Sequence, residues 1–194
     1  MKNHVKPHSL LLIALAFYAS LSHADDWSLD QLMHTLAETR ADHANFVEKK
    51  SIAILDKPVE SSGELFYTAP DRLEKRTLKP KPESMLLDRG TLTIEQKGRK
   101  HVLPLQSYPE LAAFIDSIRG TLAGDRLALE HSYQLSLDGT EQDWTLLLTP
   151  IDAKMQKVVA NIRIAGSHNA LRSIAIKQAD GDSSLMTITQ LPAP

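Results

Sequence analysis

Few residues in this 194-residue chain are arranged to make or break a bond. Gly181-Asp182-Ser183-Ser184 has the G-D-S spelling that can present a nucleophilic serine. It lies near the C-terminus between two strand-like runs, and no aspartate–histidine pair follows it, so it reads as a turn. The eight histidines are scattered, and there is no cysteine. No H-E-x-x-H, P-loop or G-x-G-x-x-G occurs. The expectation is a protein that is not an enzyme and uses no metal or cofactor.

The chemistry that remains is non-covalent: the sequestering of apolar surface. Leu65, Tyr67, Leu73, Met85, Leu87, Leu92, Leu146, Leu148, Ile162 and Ile164 recur on alternate positions of short runs, which places them on one face of a sheet. Phe114, Ile115 and Ile118 form the apolar stripe of a helix. The expectation is that these residues hold a lipid chain between a concave sheet and a helical lid. Taken singly, Leu65, Tyr67, Met85, Leu87, Leu146 or Ile162 reads more readily as ordinary core than as a ligand contact, and the stripe reads equally well as a lid or as plain packing. Arg72, Lys75 and Arg76 are interspersed with Glu74, the pattern of a solvated face; the sharper reading makes Lys75 a cation that meets a lipid headgroup at the cavity mouth.

The elements that must position these residues are organised around Ser61–Thr77. Alternation over Gly63–Ala69, the Pro70-Asp71 turn and a return through Leu73, Lys75 and Thr77 predict two strands and a corner. Ser28 and Gln31 form a capping box ahead of an amphipathic helix carrying Leu29, Leu32, Met33 and Leu36. A first long strand follows over 43–55. After the opening hairpin, Met85-Leu86-Leu87, Leu92 with Ile94, and 101–105 continue an antiparallel meander. Ser107 and Glu110 predict a second capping box and helix, weakened or ended at Gly120 and Gly124. Strands resume near Leu129. Alternation predicts Tyr133, Leu135 and Leu137 on one strand, Trp144, Leu146 and Leu148 on the next, and Val158, Ala160, Ile162 and Ile164 on the one after. Two more follow, giving about eleven strands and two substantial helices.

The N-terminus reads as an address. Lys2 and Lys6 precede an apolar run over 10–21, and Ser22-His23-Ala24 supplies small residues for cleavage. Residues 1–24 are therefore expected to be a secretory signal peptide, and 25–194 a single lipid-binding domain. Removal of 1–24 takes two lysines and no acid, so the formal charge moves from -2 to -4. That balance disfavours nucleic acid as a partner. No cysteine stands at the cleavage site, so no lipid anchor is expected.

With these residues read, the chain resembles the LolA family of periplasmic lipoprotein carriers. The resemblance rests on G-E-L-F-Y-T-A-P at Gly63–Pro70, on E-S-M-L-L-D-R-G-T-L at Glu83–Leu92, and on the order helix, six strands, helix, five strands. It looks closer to the LolA-like proteins of aryl polyene and related lipid pathways. The resemblance implies an unclosed antiparallel β-barrel with a helical lid over an apolar cavity. It implies a monomeric carrier, in the periplasm of a Gram-negative bacterium, of an acylated lipoprotein or lipid, loaded by an inner-membrane exporter and unloaded to an outer-membrane acceptor. The arginine that the main carriers place before the proline is Ala69 here, and an aromatic usual on the next strand is Lys75, so the family's lid latch is not carried over. A lipid-sensing or regulatory module without a transport role is the alternative; an acyl-processing enzyme would need a nucleophile that the sequence lacks.

Exposing an acyl chain to water costs about 0.8 kcal/mol per methylene, or roughly 13 kcal/mol for sixteen carbons. A carrier must match a bilayer in apolarity without greatly exceeding it, or release would be uphill. Leu, Ile and adaptable Met under an imperfect lid meet that need.

Overall fold

The computed structural model describes residues 27–192. The expected signal peptide lies outside the described residues. Helix α1 (Leu29–Ala37) begins at the expected capping box: the Ser28 hydroxyl accepts from the Gln31 amide, and the Gln31 side chain accepts from the Ser28 amide at 2.7 Å. Six strands follow: β1 (Ala41–Ser51), β2 (Val59–Thr68), β3 (Arg72–Lys79), β4 (Glu83–Asp88), β5 (Thr91–Gln96) and β6 (Arg99–Pro104). Then come helices α2 (Pro109–Ala123) and α3 (Arg126–Ser132), strands β7 (Tyr133–Thr140) and β8 (Asp143–Pro150), the short α4 (Ala153–Gln156), and β9 (Val159–Ser167), β10 (Ala170–Gln178) and β11 (Ser183–Gln190).

All eleven strands form one antiparallel sheet in the order β6-β5-β4-β3-β2-β1-β11-β10-β9-β8-β7. The two edge strands, β6 and β7, do not pair, so the barrel is unclosed. This order explains the lid. The chain leaves the sheet at one edge with β6 and re-enters at the other with β7. Residues 105–132 must therefore cross the open face, and α2 and α3 are that crossing.

Three local expectations are corrected. Helix α2 starts one residue later than a Ser107 cap would give: Ser107 closes a 3-10 turn, Tyr108 is the N-cap without a capping side-chain bond, and Pro109 opens the helix. Strands do not resume at Leu129, because the Asp125 carboxylate accepts from the Ala128 amide and caps α3. Val158 is half exposed and Val159 is buried instead. The register runs from Asn161 opposite Lys177 to Val159 opposite Gln178, skipping Ala160, and this bulge turns Val159 inward.

The interior is two cores. The larger packs α1 (Leu32, Met33, Leu36) and α3 (Leu129) onto Tyr133, Trp144, Leu146, Leu148, Ile162 and Ile164 of the β7–β9 half. The smaller gathers Leu87, Leu92 and Leu105, with Leu73, Met85, Leu111 and Ile115 packed against them. Helix α2 spans both.

Candidate functional site

Where the two cores fail to meet, a cavity of about 590 Å³ remains. That lies within the roughly 300–1,000 Å³ of small-ligand sites. Allowing about 30 Å³ per methylene-sized group, the liquid share of one water, it has room for about twenty. Such a volume suits one long chain.

Nine of the thirteen residues expected at a lipid site line it: Leu65 and Tyr67 of β2, Leu73 of β3, Met85 and Leu87 of β4, Leu92 of β5, and Phe114, Ile115 and Ile118 of α2. Register brings the strand residues together. Leu87 stands opposite both Leu73 and Leu92, and Tyr67 opposite Leu73, which makes one continuous apolar row. Helix α2 supplies the opposite wall.

The other four do not line the cavity. Leu146, Leu148, Ile162 and Ile164 have 0 % exposure and sit in the larger core. Their alternation places them on the concave face, as expected, but α1 and α3 fill that half of the bowl. The second wall comes from residues sequence reasoning left out of the site: Ala44 of β1, Leu171, Ile174 and Ile176 of β10, Met186 and Ile188 of β11, Leu111 and Leu122 of α2, and Met155 and Val159. The signal for β10 and β11 was present, since Ile174/Ile176 and Met186/Ile188 alternate inward like the rest. Ile174 stands opposite Met186 across the ladder.

The polar features of the wall are few. Lys75, expected on a solvated face, shares its parity with Leu73 and faces inward. Its Nζ donates to Glu48 Oε2 at 2.6 Å and lies 4.8 Å from the Phe46 ring centroid. The Glu48 side chain is 6 % exposed, and its other oxygen is 3.8 Å from Lys50 Nζ. Gly63, between Phe46 and Thr77 in the register, adds no side chain between Lys75 and Glu48. A Cβ there would run into the Arg76 carbonyl. The Tyr67 hydroxyl and Gln190 Oε1 are buried without hydrogen-bond partners. Burial raises the Tyr67 pKa, with Arg40 and Arg119 opposing the rise. Among the described residues, no group of three or more His, Asp or Glu could hold a metal ion.

The sequence pattern of the family described as outer membrane lipoprotein carrier protein LolA-like matches residues 21–190. No curated protein sequence matches. Solved structures with a similar course include a LolA superfamily protein from Nitrosomonas europaea, at 10 % identity and TM-score 0.47, covering 86 % of this chain and 94 % of that one. The MucA/MucB complex of Pseudomonas aeruginosa aligns at 14 % identity and TM-score 0.48, covering 86 % and 58 %. A DUF1329 family protein from Desulfovibrio piger aligns at 11 % identity and TM-score 0.47, covering 83 % and 88 %.

Proposed function

The chain belongs to the LolA-like family of outer membrane lipoprotein carrier proteins, and from that premise we propose that it is a periplasmic carrier of acylated cargo. In this reading residues 1–24 are a cleaved signal, and 25–194 shield the acyl chain of a lipoprotein or lipid between an inner-membrane exporter and an outer-membrane acceptor. No bond is made or broken. The observation that carries the reading is the cavity itself: about 590 Å³, walled by Leu, Ile and Met from both halves of an unclosed sheet and roofed by α2. Apolar walls left unfilled forgo the packing that stabilises a solid core, and an acyl chain supplies it. The rim between β6 and β7 stays unpaired, which leaves the roof free to move without breaking a strand ladder. Among the described residues no helix is long and apolar enough to cross a membrane.

The test is native mass spectrometry of gently purified protein, followed by transfer of labelled acyl cargo between donor and acceptor vesicles. Intact co-purifying lipid and vesicle-to-vesicle transfer are the expected results. Bound lipid without transfer favours a sensing module, and hydrolysed lipid an enzyme.

A further inference from the structure

We propose that the cargo carries an anionic headgroup, a carboxylate or a phosphate, that binds at the Glu48 end of the cavity against Lys75. The inference rests on the acyl-cavity reading above and narrows it.

The starting point is a charge inventory of the cavity wall. Lys50, Glu48 and Lys75 form a chain of two cations about one carboxylate, with the 2.6 Å and 3.8 Å contacts already given. Of the other acids bordering the cavity, Glu74 pairs with Arg76, and Asp42 lies at the other end, opposite Tyr67. At the Glu48 end of the cavity the excess is one positive charge.

An ammonium has three N–H donors. Glu48 takes one, and the Phe46 ring covers part of the group. Among the described residues, Lys75 has no second acceptor. Its remaining N–H donors, on a side chain 25 % exposed, face an otherwise aliphatic wall.

Donors without acceptors in a greasy wall are matched by an oxyanion on a greasy ligand. Stability alone does not account for the pair, since buried ion pairs are commonly no better than apolar residues of similar volume. Glu48 fixes the ammonium in place, and the ligand's head completes its coordination. A neutral ester or amide would gain nothing from the excess charge.

The probes share a palmitoyl chain: palmitate, palmitoyl lysophosphatidate and neutral monopalmitoylglycerol, titrated into delipidated protein. The expected result is that both anions bind at least about ten-fold more tightly than the neutral lipid, a difference of about 1.4 kcal/mol. In Glu48→Met/Lys75→Met the difference should collapse, and Lys75→Arg should retain it. Tighter palmitate assigns the head as a carboxylate; tighter lysophosphatidate assigns a phosphate. Equal binding of all three probes by the unaltered protein overturns the inference and leaves the acyl cavity standing. So does a preference that survives the double substitution. If none of the three binds, the cavity reading fails as well. The comparison in the unaltered protein and in Lys75→Arg decides the matter even where the double variant does not fold.

Discussion

The Tyr133 hydroxyl at the start of β7 donates to the Ala113 carbonyl in α2 at 3.1 Å. It ties the roof of the cavity to the edge where the chain re-enters the sheet. Burial pushes the Tyr133 pKa from 10.0 up to about 12. The folded protein thus holds a proton that the unfolded chain releases earlier. Stability from this group is fully present below pH 10 and is lost as pH rises through about 12. A shift of that size corresponds to roughly 3 kcal/mol at most. Tyr133→Phe should flatten the alkaline limb of a stability-versus-pH curve in this window. At neutral pH the same change should cost about 1 kcal/mol and speed hydrogen exchange in α2. An alkaline limb unchanged by the substitution would falsify the assignment.

The boundary between core and cavity predicts opposite phenotypes for two similar isoleucines. Ile164 has no exposed surface and packs in the larger core, so Ile164→Ala should lose about 2–5 kcal/mol in urea unfolding. Ile115 borders the void. Truncating it enlarges a space that already exists, and Ile115→Ala should cost less than Ile164→Ala while weakening lipid binding. Matching losses at the two sites would mean that the smaller core is as closed as the larger one.

Much of this was legible in the residues. Alternation and turn chemistry placed Leu65, Tyr67, Leu73, Met85, Leu87 and Leu92 on one face, and the structure keeps them there. The same rule put Leu146 and Ile164 on the concave face correctly. Period-2 spacing reports which side of a sheet a residue takes, and nothing about what lies over that side; α1 and α3 decide this by filling one half of the bowl. Lys75 was misjudged because its charged neighbours Arg72, Glu74 and Arg76 lie on the other face of β3. Its buried partner Glu48 is 27 residues away, beyond the reach of local pattern. Val159 was hidden by a bulge, which no alternation rule reveals.

Gly124 ends α2 in the left-handed region, at φ 64°, against α1. A Cβ there would collide with the Met33 carbonyl and crowd Ala37. Gly124→Ala should therefore destabilise by more than the roughly 1–2 kcal/mol of the backbone conformation alone. The extra loss should come from pushing α1 and α2 apart. Thermal unfolding gives the size, and hydrogen exchange should show the α1–α2 contact loosening first. A loss confined to the backbone penalty would mean that the two helices slide past each other freely.

Ligand occupancy should be readable as stability, because a cavity formed only in the folded state couples binding to folding. A cargo at one hundred times its Kd adds about 2.7 kcal/mol. In a domain of this size each 1 kcal/mol moves Tm by about 2–4 °C. Delipidated protein should thus melt about 5–11 °C below the same protein saturated with its acyl ligand. Ile115→Glu is the companion measurement. Its carboxylate would enter the void, where water can reach it in the empty protein, so the unliganded Tm should move little. With an acyl chain in place that water is displaced and the charge is left in hydrocarbon, so the ligand-induced rise should vanish. Loss of the rise together with a large drop in the unliganded Tm would instead place Ile115 in a sealed core. The pairing separates a hollow that binds from a core that only packs, and scanning calorimetry on two proteins with and without lipid is enough to tell them apart.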